Sequence, residues 1–465
     1  MRIKKNVIQS VFLLGCAMLL SGCGKQEEAT TTEEVYVPVT YESMEQTLLA
    51  EMEQELAEKE TFSSGNTDET DTTEQLVTDV TEADTSASED STTETSTVKD
   101  SIAFWYEDVN DLEYIKAAAL AFEERYGIHV DYILHEDADI LAAINDANAV
   151  GTGPDAYMLS NDLLQKARLS GLVDKNAYYD EQFWADNFPQ VAKNALSSGI
   201  GVYGYPVYLD TYFMLYDQDL AGEPVTIENV LEFSEKFVDD DNKKEIFKWD
   251  ISDPFYNFMF LGGYASLLGA SGEDASQFDV TNEYVVESMT YFQSMHEILS
   301  MEIEDSSYAK IKNKIKKHKL IYAICKTDIL PILASTENSY KLSKLPKLTE
   351  KLDSGSLSIT YAACVNPYAD SLSAANLFSI FLSYEYSQEM FALNRKIATR
   401  SSITRTDEND ILIFEQYTQS NTIPKALEMG DFWTYSELAF SKIWEGEDVK
   451  TELTNLQELI RQRLN

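Results

Sequence analysis

Asp210 interrupts an apolar and aromatic run that extends from Tyr203 to Tyr216. A carboxylate buried without a partner costs several kcal/mol, so an acid at this place must meet a donor, water or a polar ligand. The chemistry open to it is the acceptance of hydrogen bonds. Two arrangements satisfy the requirement. Two strands end to end, residues 205–209 and 212–216, leave the acid at a joint between two lobes, with Pro206 suited to a strand start or edge. A single buried strand instead brings a neighbouring Lys or Arg onto the acid.

Other reactive side chains are sparse in the body of the chain. Cys325 and Cys364 have no metal-site spacing, and His129, His135, His296 and His318 are scattered, so no metal is expected. The two cysteines are expected as buried free thiols, with a disulfide as the alternative. No Gly-x-Ser-x-Gly nucleophile motif is present. Paired acids could serve a glycosidase, but acids on both walls of a cleft are equally what sugar binding requires. The expectation is a protein that is not an enzyme and needs no cofactor.

The N-terminus carries a different kind of chemistry. Arg2, Lys4 and Lys5 precede an apolar stretch over residues 7–20, and Leu20-Ser21-Gly22-Cys23 places small residues before a cysteine. This resembles a bacterial lipobox. It implies a signal peptide over residues 1–22, cleavage before Cys23 and diacylglycerol on the Cys23 sulfur, which anchors without spanning. The alternative is an ordinary signal peptide with a chance cysteine. No later run of about 18 apolar residues predicts a transmembrane helix.

Residues 23–98 are expected to be the lipidated cysteine followed by a disordered tether. Thr, Ser, Glu and Asp dominate, and residues 24–98 hold 21 acidic against 2 basic side chains. Such a composition buries too little apolar surface to offset chain entropy. As a coil of about 75 residues it would span roughly 45–50 Å. Met44, Leu48, Met52 and Leu56 recur every four residues within it. That spacing suits a short amphipathic helix, read here as transient and without a partner. A net charge of −44 makes nucleic acid an improbable partner.

The elements that must position Asp210 alternate between strand and helix. Residues 102–106 read as a strand, 111–126 as a helix stopped by Gly127, and 128–134 as the next strand, a β-α-β unit of a parallel sheet. Residues 140–149 and 162–170 are expected as helices, flanking a strand at 156–159. After the central run, Thr226 caps a helix over 226–237, residues 282–299 form a long helix, and 320–325 and 357–365 are strands. Residues 374–393, 431–444 and 453–464 complete the helices. Six lysines between Lys310 and Lys319 read as a solvated helix face, with contact to an acidic partner as the alternative. The pattern gives an α/β protein.

Several segments together resemble the extracellular solute-binding proteins of sugar ABC transporters, the maltose-binding-protein-like branch. They are the strand with Trp105, Thr152-Gly153-Pro154-Asp155, the run Tyr205 to Asp210, Asp253-Pro254-Phe255 with Gly262-Gly263-Tyr264, Asn366-Pro367-Tyr368-Ala369, and Met429-Gly430-Asp431-Phe432-Trp433. They occur in the family's order over nearly all of residues 100–465. The resemblance implies a two-lobe, periplasmic-binding-protein-like (type II) α/β fold with hinge-connecting strands. Residues 99–209 with 364–404 would form one lobe, and 210–363 with 405–465 the other. It also implies ligand between the lobes, with aromatic faces stacking on sugar rings and carboxylates accepting from hydroxyls. Asp210 takes the family's hinge acid, Asp162 another first-lobe acid, Asp253 and Phe255 the second-lobe acid and aromatic, and Trp433 the stacking tryptophan; Trp105 is grouped with them.

The sequence departs from that pattern at three places. Leu159 replaces a tryptophan, Lys326-Thr327-Asp328 replaces a Gly-Pro-Trp turn, and Val109 and Asn110 stand where the family has an acid–lysine pair. Tyr208, Tyr212 and Tyr256 are candidates to restore stacking surface, with core packing as the alternative for each. The function implied is a monomeric, lipid-anchored carbohydrate-binding subunit on the extracytoplasmic face of the cell membrane, passing an oligosaccharide to ABC permease subunits. The other reading is a ligand-sensing or interaction lipoprotein of the same fold without a transport role.

Overall fold

The computed structural model describes residues 38–64, 101–136, 139–238, 244–299 and 301–464. The signal and lipidation site at residues 1–23 therefore lie outside the described residues, as do 65–100. Fifteen elements frame the site. They are α1 (Tyr41–Ser64), β1 (Ser101–Tyr106), α2 (Leu112–Tyr126), β2 (His129–Leu134), β3 (Ala156–Ser160), β4 (Tyr205–Asp217), β5 (Glu245–Lys248), α3 (Pro254–Asn257), α4 (Tyr308–Lys316), β6 (Leu320–Lys326), β7 (Tyr340–Ser343), β8 (Leu357–Val365), α5 (Leu372–Ile380), α6 (Met390–Asn394) and α7 (Phe432–Trp444).

The expected β-α-β unit is present. β1 pairs in parallel with β2 and β3, and Gly127 ends α2 in the left-handed region at φ 72°, a conformation that costs glycine little. Thr226 closes a capping box with Asn229 at the start of the helix Ile227–Lys236. The helix expected over 374–393 is instead broken after α5 into a π-helical segment, Phe381–Glu385, a 3-10 turn, Tyr386–Glu389, and then α6.

β4 is one strand of 13 residues, not two strands joined at Asp210. It continues because it has partners along its whole length. Its first half pairs antiparallel with β8, from Ala363 opposite Tyr205 to Ser358 opposite Thr211. Its second half pairs antiparallel with β6, from Lys326 opposite Tyr212 to Tyr322 opposite Tyr216, and with β7. The sheet order is β2-β1-β3-β8-β4-β6-β5. Pro206 has no N–H to give the ladder, and the β4–β8 register shifts beside it, between Tyr361 and Ala362.

The apolar interior forms two clusters, and the alternation of side chains along β4 divides between them. Phe213 and Leu215 join the first, with Phe104, Phe122, Leu209 and Phe378, while Tyr212 and Met214 join the second, with Trp249, Phe292 and Trp444. The first cluster also takes in Ile311, Cys325, Ile329 and Leu342, so it continues past residue 210. Cys325 and Cys364 are both buried and free.

The largest departure from the sequence expectation is α1. Tyr41–Ser64 was expected within a disordered tether, yet it is a helix packed on the body. Tyr41, Met44, Leu48 and Met52 are buried. Tyr41 stacks on Tyr384 with ring centroids 5.5 Å apart. Polar contacts flank this seam. Arg125 and the Tyr126 hydroxyl donate to Glu45, the Tyr178 hydroxyl to Glu51, and Ser371 and Ser373 to Glu55. The four-residue apolar spacing was a core-facing stripe, and its partners come from distant parts of the chain.

Candidate functional site

Asp210 is 6% exposed at the centre of β4. The β4–β6 register determines what it meets, because pairing Tyr212 with Lys326 brings the turn after β6 beside it. Thr327 donates its backbone N–H (3.0 Å) and hydroxyl (2.7 Å) to Asp210 Oδ1, and Lys326 Nζ lies 3.4 Å from Oδ2. The acid is therefore both paired and inside one strand. Asp210 in turn raises the pKa of Lys326, more than burial lowers it.

A second charged group lies two residues back. Tyr208 stacks on its cross-strand partner Tyr361, with centroids 4.4 Å apart at 18°, and donates its hydroxyl to Asp111 Oδ2 at 2.9 Å. Lys396 Nζ sits 3.9 Å from the Tyr208 ring centroid and bridges Asp108 (2.7 Å) and Asp111 (2.5 Å). Burial pushes the Asp111 carboxyl up against the pull of Lys396. At Asp108 the opposing pull of Lys396 and Asn110 outweighs burial and holds the carboxyl down. Across the cleft, Asp328 accepts from the Tyr308 hydroxyl (2.6 Å) and Lys312 (2.7 Å).

These groups, Asp111 and Tyr308 excepted, surround a cavity of about 390 Å³, completed by Asn110, Pro331, Ile332, Asn394 and Arg395. A second cavity of about 340 Å³ is lined by Asp253, Phe255, Tyr256, Tyr308, Ile359, Ile423 and Trp433. Lys326 lines both. Asp253 caps α3 by accepting from the Phe255 N–H at 2.9 Å, and burial raises its carboxyl despite that bond. The Tyr256 hydroxyl is buried there without a hydrogen-bond partner among the described residues. One compartment is thus charged and the other aromatic.

The site residues expected from the sequence distribute as follows. Tyr208 and Asp210 line the charged cavity, and Asp253, Phe255, Tyr256 and Trp433 the aromatic one. Tyr212 lines neither; it is fully buried, donates to the Gly355 carbonyl at 3.1 Å and packs edge-on to Phe255. Trp105 is buried against His135, with centroids 3.9 Å apart. Asp162 lies in the turn Asn161–Leu163, outside both linings, although its charge raises the Tyr361 pKa along with burial and Asp210.

Lys396, Tyr361, Tyr308 and Arg395 carried no signal of a site in the sequence. Lys326-Thr327-Asp328 did: three polar residues directly after a buried strand. The lysine-rich α4 contributes Lys312 to the cavity and pairs Lys314 with Asp305 (2.6 Å) and Glu245 (2.9 Å), acids of the chain itself. Among the described residues, no group of three or more His, Cys, Asp or Glu could hold a metal ion, and no helix is long and apolar enough to cross a membrane.

Residues 117–318 match the bacterial extracellular solute-binding protein family. The galactooligosaccharide-binding protein of Bacillus subtilis (strain 168) is 22% identical over 380 residues, 76% of this chain and 87% of its own length. The maltodextrin-binding protein MdxE of the same organism is also 22% identical, over 392 residues and the same shares. A crystal structure of a cyclo/maltodextrin-binding protein complexed with maltotetraose superposes with a TM-score of 0.70 at 17% identity, covering 80% of this chain and 99% of that one. The maltotriose-binding protein of Thermus thermophilus, bound with maltotriose, gives 0.66 at 18% identity, covering 78% and 100%. The fold is accordingly the two-lobe type II periplasmic-binding fold. These relatives are named for binding and not for catalysis, and residues 117–318 carry the likeness to the bacterial extracellular solute-binding family.

Proposed function

We propose that the protein captures an oligosaccharide between two lobes, residues 99–209 with 364–404 and residues 210–363 with 405–465, by hinge closure and delivers it to an ABC permease. The observation that carries this reading is Asp210, buried on the strand shared by both halves of the sheet and lining a cavity beside the aromatic compartment of Trp433. Relatives named for galactooligosaccharide and maltodextrin binding support the ligand class. Closure of such proteins around a ligand is a known hinge motion. Lipid on Cys23 would hold the protein at the outer face of the membrane.

The test is thermal unfolding of the full-length chain in detergent against neutral and acidic oligosaccharides. A true ligand at 100 times its Kd stabilises the folded state by about 2.7 kcal/mol and raises the melting temperature. Failure of a broad panel to do so would favour a sensing or interaction lipoprotein without transport. The charged Lys326-Thr327-Asp328 turn at the cavity is the observation that favours that second reading. Separately, Cys23→Ala should abolish labelling by radioactive palmitate and release the protein from cell membranes. A mutant that still labels and pellets would show that Cys23 is not the anchor.

A further inference from the structure

We infer that the ligand carries a carboxylate, as a uronic-acid oligosaccharide does, and that Arg395 binds it. This rests on the oligosaccharide reading above. The argument is an inventory of the charged cavity. Each lining carboxylate already has a partner: Asp108 accepts from Lys396 and Asn110, Asp210 from Thr327 and Lys326, and Asp328 from Tyr308 and Lys312. The spare capacity is on the donor side. Arg395 lines the cavity and makes no ion pair among the described residues; its guanidinium lies 5.0 Å from the Phe391 ring centroid. Asn394 beside it has a buried amide nitrogen without a partner among the described residues. A guanidinium is a planar fork of donors matched to a carboxylate.

The backbone points the same way. Arg395 ends α6 in the left-handed region, φ 62°, where glycine or asparagine is the usual residue. An arginine held there is strained, and such strain concentrates at ligand sites. A neutral sugar could stack in the aromatic compartment but would leave this donor unused. An oligosaccharide with a neutral unit on Trp433 and an acidic unit at Arg395 uses both cavities, which meet at Lys326.

The experiment is calorimetric titration of the full-length chain in detergent with maltotetraose, a neutral galactooligosaccharide and a galacturonate tetramer. The acidic ligand should bind at least tenfold more tightly. Arg395→Gln should remove that preference, and Arg395→Lys should restore part of it. Equal affinity for neutral and acidic ligands, or an acidic preference unchanged in Arg395→Gln, overturns the inference and leaves the oligosaccharide reading standing. No binding by any of the three overturns both for these sugar classes.

A different observation carries a second inference: the geometry points to α1 as a strap that ties the N-terminal anchor directly to the lobe containing α2 and α5. Its buried seam and its contacts to Arg125, Tyr126, Tyr178, Ser371 and Ser373 join it to that lobe. The matched structures are covered over 97–100% of their lengths while about a fifth of this chain has no counterpart in them, so this chain carries segments beyond the shared fold. With α1 docked, the stretch between Cys23 and the folded body shrinks to residues 24–40. At equal flexibility, a stretch of 17 residues reaches about half as far as one of 75. The lobe bearing α1 is then the anchored one, and the other is free to move on closure.

A site for a sequence-specific protease inserted between residues 80 and 81 tests this in the full-length chain. After cleavage, a tag on the N-terminal fragment should retain the C-terminal body. Release of the body from the tag overturns the strap, whether or not Cys23 carries lipid, and membrane pelleting of the two fragments reports the anchor separately. Slow amide exchange over residues 44–56 in the uncleaved protein is expected as well; exchange at free-coil rates would equally overturn it.

Discussion

Trp433→Ala is expected to weaken oligosaccharide binding about 5- to 150-fold while leaving the fold intact. Trp433 is the second residue of α7 and is only partly buried; its neighbour Phe432, 1% exposed, does the packing into the second apolar cluster. The two rings meet edge to face at 5.1 Å, so the Trp433 side chain borders the aromatic cavity without being a core residue. Stacking on a sugar ring together with the apolar area covered is worth roughly 1–3 kcal/mol, which sets the expected range. Titration calorimetry gives the affinity and urea unfolding the stability. An unchanged Kd would remove Trp433 from the ligand site. A large loss of stability would instead make it a core residue after all.

Much of this arrangement was legible in the sequence, for identifiable reasons. Strand and helix periodicity located β1, α2, β2 and β8 to within a residue or two, because those elements bury a regular face. An acid inside an apolar run identified Asp210 as a residue needing a partner. What the run could not reveal was that β4 finds ladder partners on both sides of the acid, which is why it remains one strand. The departure at Lys326-Thr327-Asp328 was visible, but its role as the Asp210 partner depends on the register of β6 against β4. In α1 the Met44, Leu48 and Met52 stripe was equally visible. The acidic composition around it argued for disorder, and the surface that receives the stripe, near Tyr126, Tyr178 and Tyr384, is assembled only by the fold.

Lys396 was illegible for the same reason, since Asp108 lies 288 residues before it in the chain. Lys396→Met is expected to be the most destabilising single change in the site, at roughly 3–5 kcal/mol near neutral pH. Asp111 is 2% exposed, and Lys396 is its only cation among the described residues. Breaking a buried pair from one side leaves an uncompensated charge, which is why the cost exceeds the net value of the pair. Asp108 is more exposed and can turn to water, so it adds little. The pH dependence identifies the cause. Burial already raises the Asp111 carboxyl in the folded state, and Lys396 opposes the rise. Without the lysine the folded pKa goes higher, above its unfolded value, so folding is favoured while Asp111 is protonated and that contribution is lost as pH rises through the folded pKa. The deficit of the variant should therefore be large at pH 7 and shrink on acidification toward pH 5. Adding Asp111→Asn should recover part of the loss at pH 7, because the amide has no charge to strand. Urea unfolding at the two pH values measures all three proteins. A deficit independent of pH, or one that Asp111→Asn deepens, would mean that Lys396 acts through packing on the Tyr208 and Tyr361 rings rather than by compensating the Asp111 charge.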